Sequence, residues 1–291
     1  MTTLEVLATG PQATVQDLGR PGYAAMGVGR SGAADRRSFA LAQRLVGNDE
    51  ALAAVEVLIG GLSLRTDEAV EVAVTGAGVE VLIDDGEGPV PMGLNARHTL
   101  RAGATLTLGQ AASGLRAYVA VRGGIDVEPV LGSRATDTMS GIGPKPLSEG
   151  DRLPVGRGAG ELPATDLAPV AGFDEDGVTL RAVRGPRDDW LADAEHLTRT
   201  TWTVSDKANR VGARLNPPEG ATLRHAEQDR QLPSEGAARG AIQVPPSGEP
   251  VLFLADHPVT GGYPVVAVVV DEDVDRAAQL RPGQKVRFTW A

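Results

Sequence analysis

Short apolar or alternating runs, each closed by Gly, Asp or Pro, recur along most of the chain. Leu4–Ala8, Ala54–Ile59, Leu62–Arg65, Val70–Thr75, Val79–Asp84, Thr105–Leu108 and Arg116–Val121 read as strands. One helix interrupts them from Ala34 to about Val46, where Phe39, Leu41, Ala42, Leu45 and Val46 recur at helical spacing before a Gly47-Asn48 stop. Asp151 to Asp176 is rich in Pro, Gly and Ala without periodicity and reads as a connecting segment. The strand pattern resumes at Val178–Val183, Thr200–Val204, Ala241–Val244, Val251–Ala255, Val265–Val270 and Lys285–Trp290. A short helix is predicted around Asp188–Leu197, another around Val274–Leu280, and a hairpin connection at Pro245-Pro246-Ser247-Gly248. Many short strands and few helices favour β-barrels or sandwiches over a parallel α/β sheet. The expected organisation is a β domain over 1–155, a linker over 156–176 and a second β domain over 177–291. The two domains would pack on each other, with an N-terminal strand free to pair across.

The stretch from Thr14 to Asp35, TVQDLGRPGYAAMGVGRSGAAD, departs from this background. Gln16, Asp17, Arg20, Tyr23, Ser31 and Asp35 supply donors and acceptors among closely spaced glycines, and a helix follows at once. Such a loop is suited to hold an anion or a polar small molecule at the helix N-terminus, through Ser31 and nearby amides. The blander assignment is a tight turn with Ser31 or Asp35 as the helix cap. Gly27–Gly32 spells G-x-G-x-x-G, but Pro21-Gly22-Tyr23 precedes it instead of a buried strand, and no βαβ alternation follows. A dinucleotide site is therefore not expected.

Composition narrows the chemistry further. At 291 residues, with 42% hydrophobic and 23% charged positions, the chain has the make-up of a water-soluble globular protein with ample core. The net charge of -10 and an aromatic content of 3% argue against nucleic acid as partner. No apolar run is long enough to span a bilayer, and MTTLEVLATG lacks a basic segment followed by an apolar one, so a cytoplasmic location with no membrane partner is expected. Without cysteine there is no disulfide, thiolate metal site or Cys nucleophile, which fits a reducing compartment. The four histidines are scattered, with no H-E-x-x-H, so no metal site is expected. G-x-x-x-x-G-K-[ST] and G-x-S-x-G are absent, and none of the three lysines sits in a biotin-carrier hairpin.

Three further polar segments carry candidate chemistry. In Leu131–Asp137, Arg134 is placed to fork a carboxylate or phosphate, oriented by Asp137, or else to fix the loop through an ion pair. In Ser205–Gly212, Arg210 is a second candidate anion ligand, or a structural arginine. In Asp256–Pro264, Gly261 and Gly262 let backbone approach a ligand, Thr260 and Tyr263 add hydroxyls, and Asp256 with His257 supplies acid–base capacity. A bulge or hairpin crossing is the structural alternative there.

These segments, in this order, resemble the biotin-dependent carboxyltransferase-like family that includes the C subunit of bacterial 5-oxoprolinase, also called the KipA or allophanate-hydrolase-subunit-2 family. The resemblance rests on T-V-Q-D-L-G-R-x-G-Y at Thr14–Tyr23, G-V-x-x-S-G-A-x-D at Gly27–Asp35 and L-V-G-N at Leu45–Asn48. It continues through G-G-I-D-V at Gly123–Val127, V-L-G-S-R-x-T-D at Val130–Asp137, G-A-I-Q-V-P at Gly240–Pro245 and T-G-G-Y-P at Thr260–Pro264. It implies two tandem cyclophilin-like β-barrels and a pairing with a KipI-like B subunit. Joined by an A subunit, the assembly would open 5-oxoproline to glutamate at the expense of ATP with Mg. On that reading Asp17, Arg20, Arg134 and His257 are the catalytic candidates. Gln16, Tyr23, Ser31, Asp137, Arg210, Thr260, Gly261, Gly262 and Tyr263 are the substrate-binding ones. Two alternatives stand beside it: a carboxyltransferase that moves a carboxyl group to urea or a similar amide, with biotin supplied in trans, and a non-catalytic regulatory partner of the KipI-like protein.

Overall fold

The computed structural model describes residues 2–227 and 230–291. The chain divides into two compact units. The first comprises Met1–Arg20, Asp35–Asp137 and Gly141–Phe173; the second comprises Pro21–Ala34, Thr138–Ser140 and Asp174–Ala291. Both are built chiefly from strands, with three short helices among the described residues. No helix there is long and apolar enough to cross a membrane.

The first unit holds strands β1 (Thr3–Thr9), β2 (Gln12–Gln16), β3 (Ala54–Leu58), β4 (Leu62–Thr66), β5 (Val70–Gly76) and β6 (Val81–Asp84). It continues with β7 (Val90–Met92), β8 (Ala96–Leu100), β9 (Thr105–Leu108), β10 (Arg116–Val121) and β11 (Arg152–Pro154). They form two sheets, ordered β11-β1-β4-β9-β6-β7 and β2-β3-β10-β5-β8. Inward residues of both sheets, among them Val6, Val15, Val55, Leu64, Val74, Leu106 and Val119, make one core. Helix α1 (Arg36–Leu45) packs on β5 and β10, which explains why every residue of β10 is buried. The Asp35 carboxylate caps α1 by accepting from the Ser38 amide at 2.9 Å. The Asp35 amide donates to the Tyr118 hydroxyl at 2.8 Å, and that hydroxyl donates to Glu56 at 2.8 Å. Burial, with the Glu56 and Asp35 charges behind it, pushes the Tyr118 phenol well above its ordinary range, so it stays a donor.

The second unit closes a seven-stranded barrel. Its strands are β12 (Gly177–Arg184), β13 (Trp202–Val204), β14 (Gly212–Asn216), β15 (Glu235–Gly236) and β16 (Ala241–Gln243). They continue with β17 (Val251–Phe253), β18 (Thr260–Gly261), β19 (Val265–Val269) and β20 (Lys285–Trp290). The order around the barrel is β12-β19-β16-β17-β14-β13-β20, closed by the parallel pairing of β12 with β20. Val286 and Phe288 point inward on β20 while Lys285 and Arg287 face out, as the period of two requires. The remaining strands, β15 and β18, form a separate two-stranded ribbon. Helices α2 (His196–Arg199) and α3 (Asp271–Ala277) complete the unit.

The strand pattern is legible for most elements, but β7, β8, β14, β15 and β18 are absent from it, and four other elements differ. Thr14–Gln16, expected to begin an irregular loop, end strand β2; buried Thr14 and Gln16 break the apolar signal. Within the expected linker region, Arg152–Pro154 pair with β1 as β11. The helix expected over Asp188–Leu197 is split into a 3-10 turn at Asp188–Trp190 and α2. Helix α3 begins at Asp271, ahead of the apolar stripe, because Asp271, Glu272 and Asp273 favour its N-terminal dipole.

Gly60 marks a close strand crossing. Its φ is +105°, and a Cβ there would overlap the Gly109 carbonyl oxygen. Gly86 has a similar φ of +104° with nothing within 4 Å of such a Cβ. Gly86→Ala is therefore expected to lower stability by about 1–2 kcal/mol, the backbone term alone. Gly60→Ala should lower it by about 3 kcal/mol or more, since overlap adds to strain. Urea unfolding of both variants checks the difference; equal losses would refute the crossing.

Candidate functional site

In the first unit, the segment after β2 and the loop 133–137 are laced together. Asp17 accepts from the Gly19 amide at 2.7 Å, the Ser133 hydroxyl at 2.7 Å and the Arg134 amide at 2.6 Å. Three donors converge on this carboxylate, which makes it the organiser of the loop. Gln16 donates from Nε2 to the Thr136 carbonyl at 2.9 Å and to Thr14 Oγ1 at 3.1 Å, while its Oε1 is buried with no hydrogen-bond partner. Arg20 donates from Nη2 to the Ala135 carbonyl, but its Nε and Nη1 are buried without partners. The residue is 1% exposed, and no carboxylate among the described residues pairs with it.

Arg134 is arranged otherwise. Its Nε donates to the Val127 carbonyl at 2.6 Å and its Nη2 to Asp126 at 2.6 Å. The expected orientation by Asp137 is corrected: Asp126 is the carboxylate beside Arg134, and the loop-fixing alternative describes the guanidinium. Asp137 uses its backbone to close a turn, accepting from the Gly141 amide and donating to the Ile142 carbonyl, both at 2.9 Å.

In the second unit, Arg210 and Asp256 form a buried bidentate pair. Nε lies 2.8 Å from Oδ2 and Nη2 lies 2.9 Å from Oδ1. Ser31 donates to Oδ1 at 2.6 Å, and Thr138 donates to Oδ2 through its amide at 2.9 Å and its hydroxyl at 2.7 Å. Arg210 Nη2 also reaches the Gly32 carbonyl at 2.6 Å. Burial by itself would raise the Asp256 carboxyl; the Arg210 charge and the hydrogen bonds from Arg210, Ser31 and Thr138 outweigh it and hold it below the usual range. Ser31 adopts φ 55°, the left-handed region, to deliver its hydroxyl. The helix-terminus anion site expected at Ser31 is thereby corrected: its hydroxyl serves Asp256, and Asp35 supplies the cap.

Tyr23 is half-buried ahead of a 3-10 turn at Ala24–Met26, its carbonyl accepting from the Met26 amide at 2.9 Å. His257 stacks on Phe253 with ring centres 5.8 Å apart, and its Nδ1 donates to the Pro258 carbonyl at 2.8 Å. Thr260 and Gly261 lie in the β15–β18 ribbon, opposite Gly236 and Glu235. Gly262 and exposed Tyr263 follow them. The structure thus gathers Gln16, Asp17, Arg20 and the Arg134 backbone in one cluster, and Ser31 and Arg210 in another. Thr260–Tyr263 run along the ribbon. Thr138 is invisible in the sequence, where nothing but its place beside Asp137 distinguishes it. Asp256 is visible there as an acid–base candidate, but its partner 46 residues earlier is not.

The carboxyltransferase domain family, subdomains A and B, matches residues 26–290, and the chain belongs to it. Over 98% of its length the chain is 36% identical to the 5-oxoprolinase C subunit of Escherichia coli (strain K12), of which it covers 90%. It superposes on the crystal structure of TTHA0988 with a TM-score of 0.86 and 33% identity, over 99% of this chain and 56% of that one. It matches the K. lactis urea amidolyase structure with a TM-score of 0.88 and 31% identity, over 98% of this chain and 18% of that one.

Removing one member of a buried ion pair leaves the other charge unpaired. Asp256→Asn is expected to cost about 3–5 kcal/mol in urea unfolding. Because the folded carboxyl titrates below its unfolded value, its contribution is complete above the unfolded Asp value of about 3.9 and is lost as pH falls through the lowered folded one. The acid limb of the stability curve should therefore flatten in the variant. An unchanged acid limb would show that Asp256 is not a source of it.

Proposed function

We propose that this chain acts as the C subunit of an ATP-dependent 5-oxoprolinase, working with the B and A subunits to open 5-oxoproline to glutamate. The observation that carries this reading is the 36% identity to the E. coli 5-oxoprolinase C subunit over 98% of this chain and 90% of that protein. A lactam is a poor electrophile with a poor leaving group, so ring opening needs activation of the amide oxygen and stabilisation of developing charge. Of the three site arginines, Arg20 alone has hydrogen-bonding capacity and charge not already met by a carboxylate. It is the candidate for the anionic groups of the substrate. His257, half-buried beside the ribbon, is the candidate for proton transfer, with Tyr263 available to contact substrate.

No sequence motif marks a Mg-nucleotide site on this chain. It has no P-loop, and among the described residues no group of three His, Cys, Asp or Glu is placed to hold a metal ion. On this reading nucleotide binding is unconventional or shared with the partner subunits. The second reading, carboxyl transfer to urea with biotin in trans, draws on the fold likeness to urea amidolyase, of which the chain spans only 18%.

Co-expression of the three subunits should give ATP-dependent glutamate release from 5-oxoproline, lost when this chain is omitted. Undiminished release without it would refute the proposal. Activity only with urea, bicarbonate and a biotin carboxylase would favour the second reading. In the active complex, His257→Ala should lower kcat by about a hundredfold or more with a smaller change in KM. An unchanged kcat would remove His257 from proton transfer.

A further inference from the structure

Three adjacent barrel strands, β13, β20 and β12, present polar positions on the outer face of the second unit. Val286 and Phe288 point inward on β20, so Lys285 and Arg287 stand outside. Thr203 lies opposite Lys285 on β13, while Gly177 and Thr179 lie opposite Lys285 and Arg287 on β12. A cavity of about 320 Å³ opens here, lined chiefly by Asp176, Gly177, Thr179, Thr201, Lys285 and Arg287. Its volume is at the lower end of the range for small-molecule sites, about 300–1,000 Å³. Every lining residue belongs to the second unit.

The two cations are positioned without being neutralised. Lys285 Nζ donates to the Thr203 hydroxyl and Arg287 Nε to the Thr201 hydroxyl, both at 2.8 Å. No carboxylate among the described residues pairs with either of them. Acids are not in short supply, since the chain has 38 acidic residues against 28 basic ones. Other arginines of this unit find them: Arg181 pairs with Asp273, Arg184 with Glu195, Arg187 with Glu235 and Arg199 with Asp193. A neutral hydroxyl fixes each cation in place and leaves its charge to be met from outside the chain. Lys285 keeps two N–H donors and Arg287 keeps the four of Nη1 and Nη2. Because Thr201 and Thr203 accept, their own O–H groups remain to donate. The lining is rich in donors, and Asp176 is its one acid.

We propose that this cavity binds a phosphate-class oxyanion, either the free ion or the phosphoryl group of a small phosphomonoester. Its oxygens accept from Lys285 Nζ, the Arg287 Nη groups and the Thr179 and Thr201 hydroxyls, so charge and several hydrogen bonds act together. A tetrahedral oxyanion suits donors that come from three strands better than a planar carboxylate does. Asp176 opposes such a ligand and limits its affinity. The net charge of -10 opposes it at long range, but that field is screened over about 8 Å, whereas the two cations act at contact. The site rests on no part of the function proposed above.

Calorimetric titration of the full chain at low ionic strength, with inorganic phosphate and then with glycerol phosphate, tests this assignment. One ligand is expected to bind per chain. Arg287→Met and Lys285→Met should each weaken inorganic phosphate by roughly tenfold, the low end for a hydrogen bond to a charged group. Asp176→Asn removes the like charge and should tighten binding by roughly two- to fivefold. All three side chains are exposed, so the variants should fold. Lys207→Met changes the net charge as much as Lys285→Met, but Lys207 is exposed outside the cavity and its loss should alter affinity by less than about twofold.

Absence of phosphate binding would overturn the proposal, as would binding that ignores both Arg287→Met and Lys285→Met. Equal weakening by Lys207→Met would also overturn it, by reducing the effect to overall charge. Tighter binding of glycerol phosphate than of inorganic phosphate assigns the site to a phosphomonoester, and the reverse order assigns it to the free ion.

Discussion

The buried pair of Arg210 and Asp256 is the constraint on which the second unit depends. Asp256 accepts five hydrogen bonds from three separate parts of the chain: Ser31, the amide and hydroxyl of Thr138, and the two nitrogens of Arg210. Two of those parts, Pro21–Ala34 and Thr138–Ser140, are excursions that the chain makes into the second unit before its main body begins at Asp174. Both are short of regular structure, so few ladder hydrogen bonds hold them. A fully satisfied carboxylate compensates for that deficit, and it tolerates burial because a bidentate guanidinium and three further donors replace its lost water. The left-handed backbone of Ser31 follows from the same requirement: its hydroxyl must point at Oδ1.

Opposite logic governs the first unit. There the anion, Asp17, is enclosed by two amides and a hydroxyl, without a guanidinium. The nearby cations divide. Arg134 is matched by Asp126 and a carbonyl, and so fixes its loop. Arg20 is held by a single carbonyl at one end and is unmatched at the other. A rigid frame around an incompletely satisfied charge is what preorganised recognition requires, since the frame prevents the guanidinium from relaxing onto an internal partner. Asp17 supplies that rigidity by pinning residues 133 and 134, one step from the carbonyls on which Arg20 and Gln16 rest.

How far this can be read from the residues depends on the range of the interaction. Local periodicity places Thr105–Leu108, Arg116–Val121 and Lys285–Trp290 at their observed bounds, because each alternates or is wholly apolar between clear turn residues. It fails at β2 and β14, where buried Thr14, Gln16 and the glycine of Gly212–Asn216 interrupt the pattern. The polar cluster from Gln16 to Arg20 stands out as chemistry, yet its partners lie 115 to 120 residues away in the loop 133–137. No spacing rule reaches that far. The G-x-G-x-x-G at Gly27–Gly32 lacks a preceding strand, and its serine serves a carboxylate 225 residues on. Arginines cannot be sorted by sequence into matched and unmatched, because that distinction exists only once the loops are packed.

The overall charge of the chain bears on this distinction. With a net charge of -10, the long-range field disfavours the approach of an anion. That field is screened over about 8 Å at physiological ionic strength, whereas a desolvated guanidinium acts at hydrogen-bond distance in a medium of low polarity. In an acidic protein, attraction for an anion is therefore concentrated in dehydrated donors. Surface cations such as Arg44, Arg65 and Arg101 do not serve, since each is exposed and already paired with a neighbouring acid. Arg20 differs from them: it is buried, and its Nε and Nη1 have no hydrogen-bond partner.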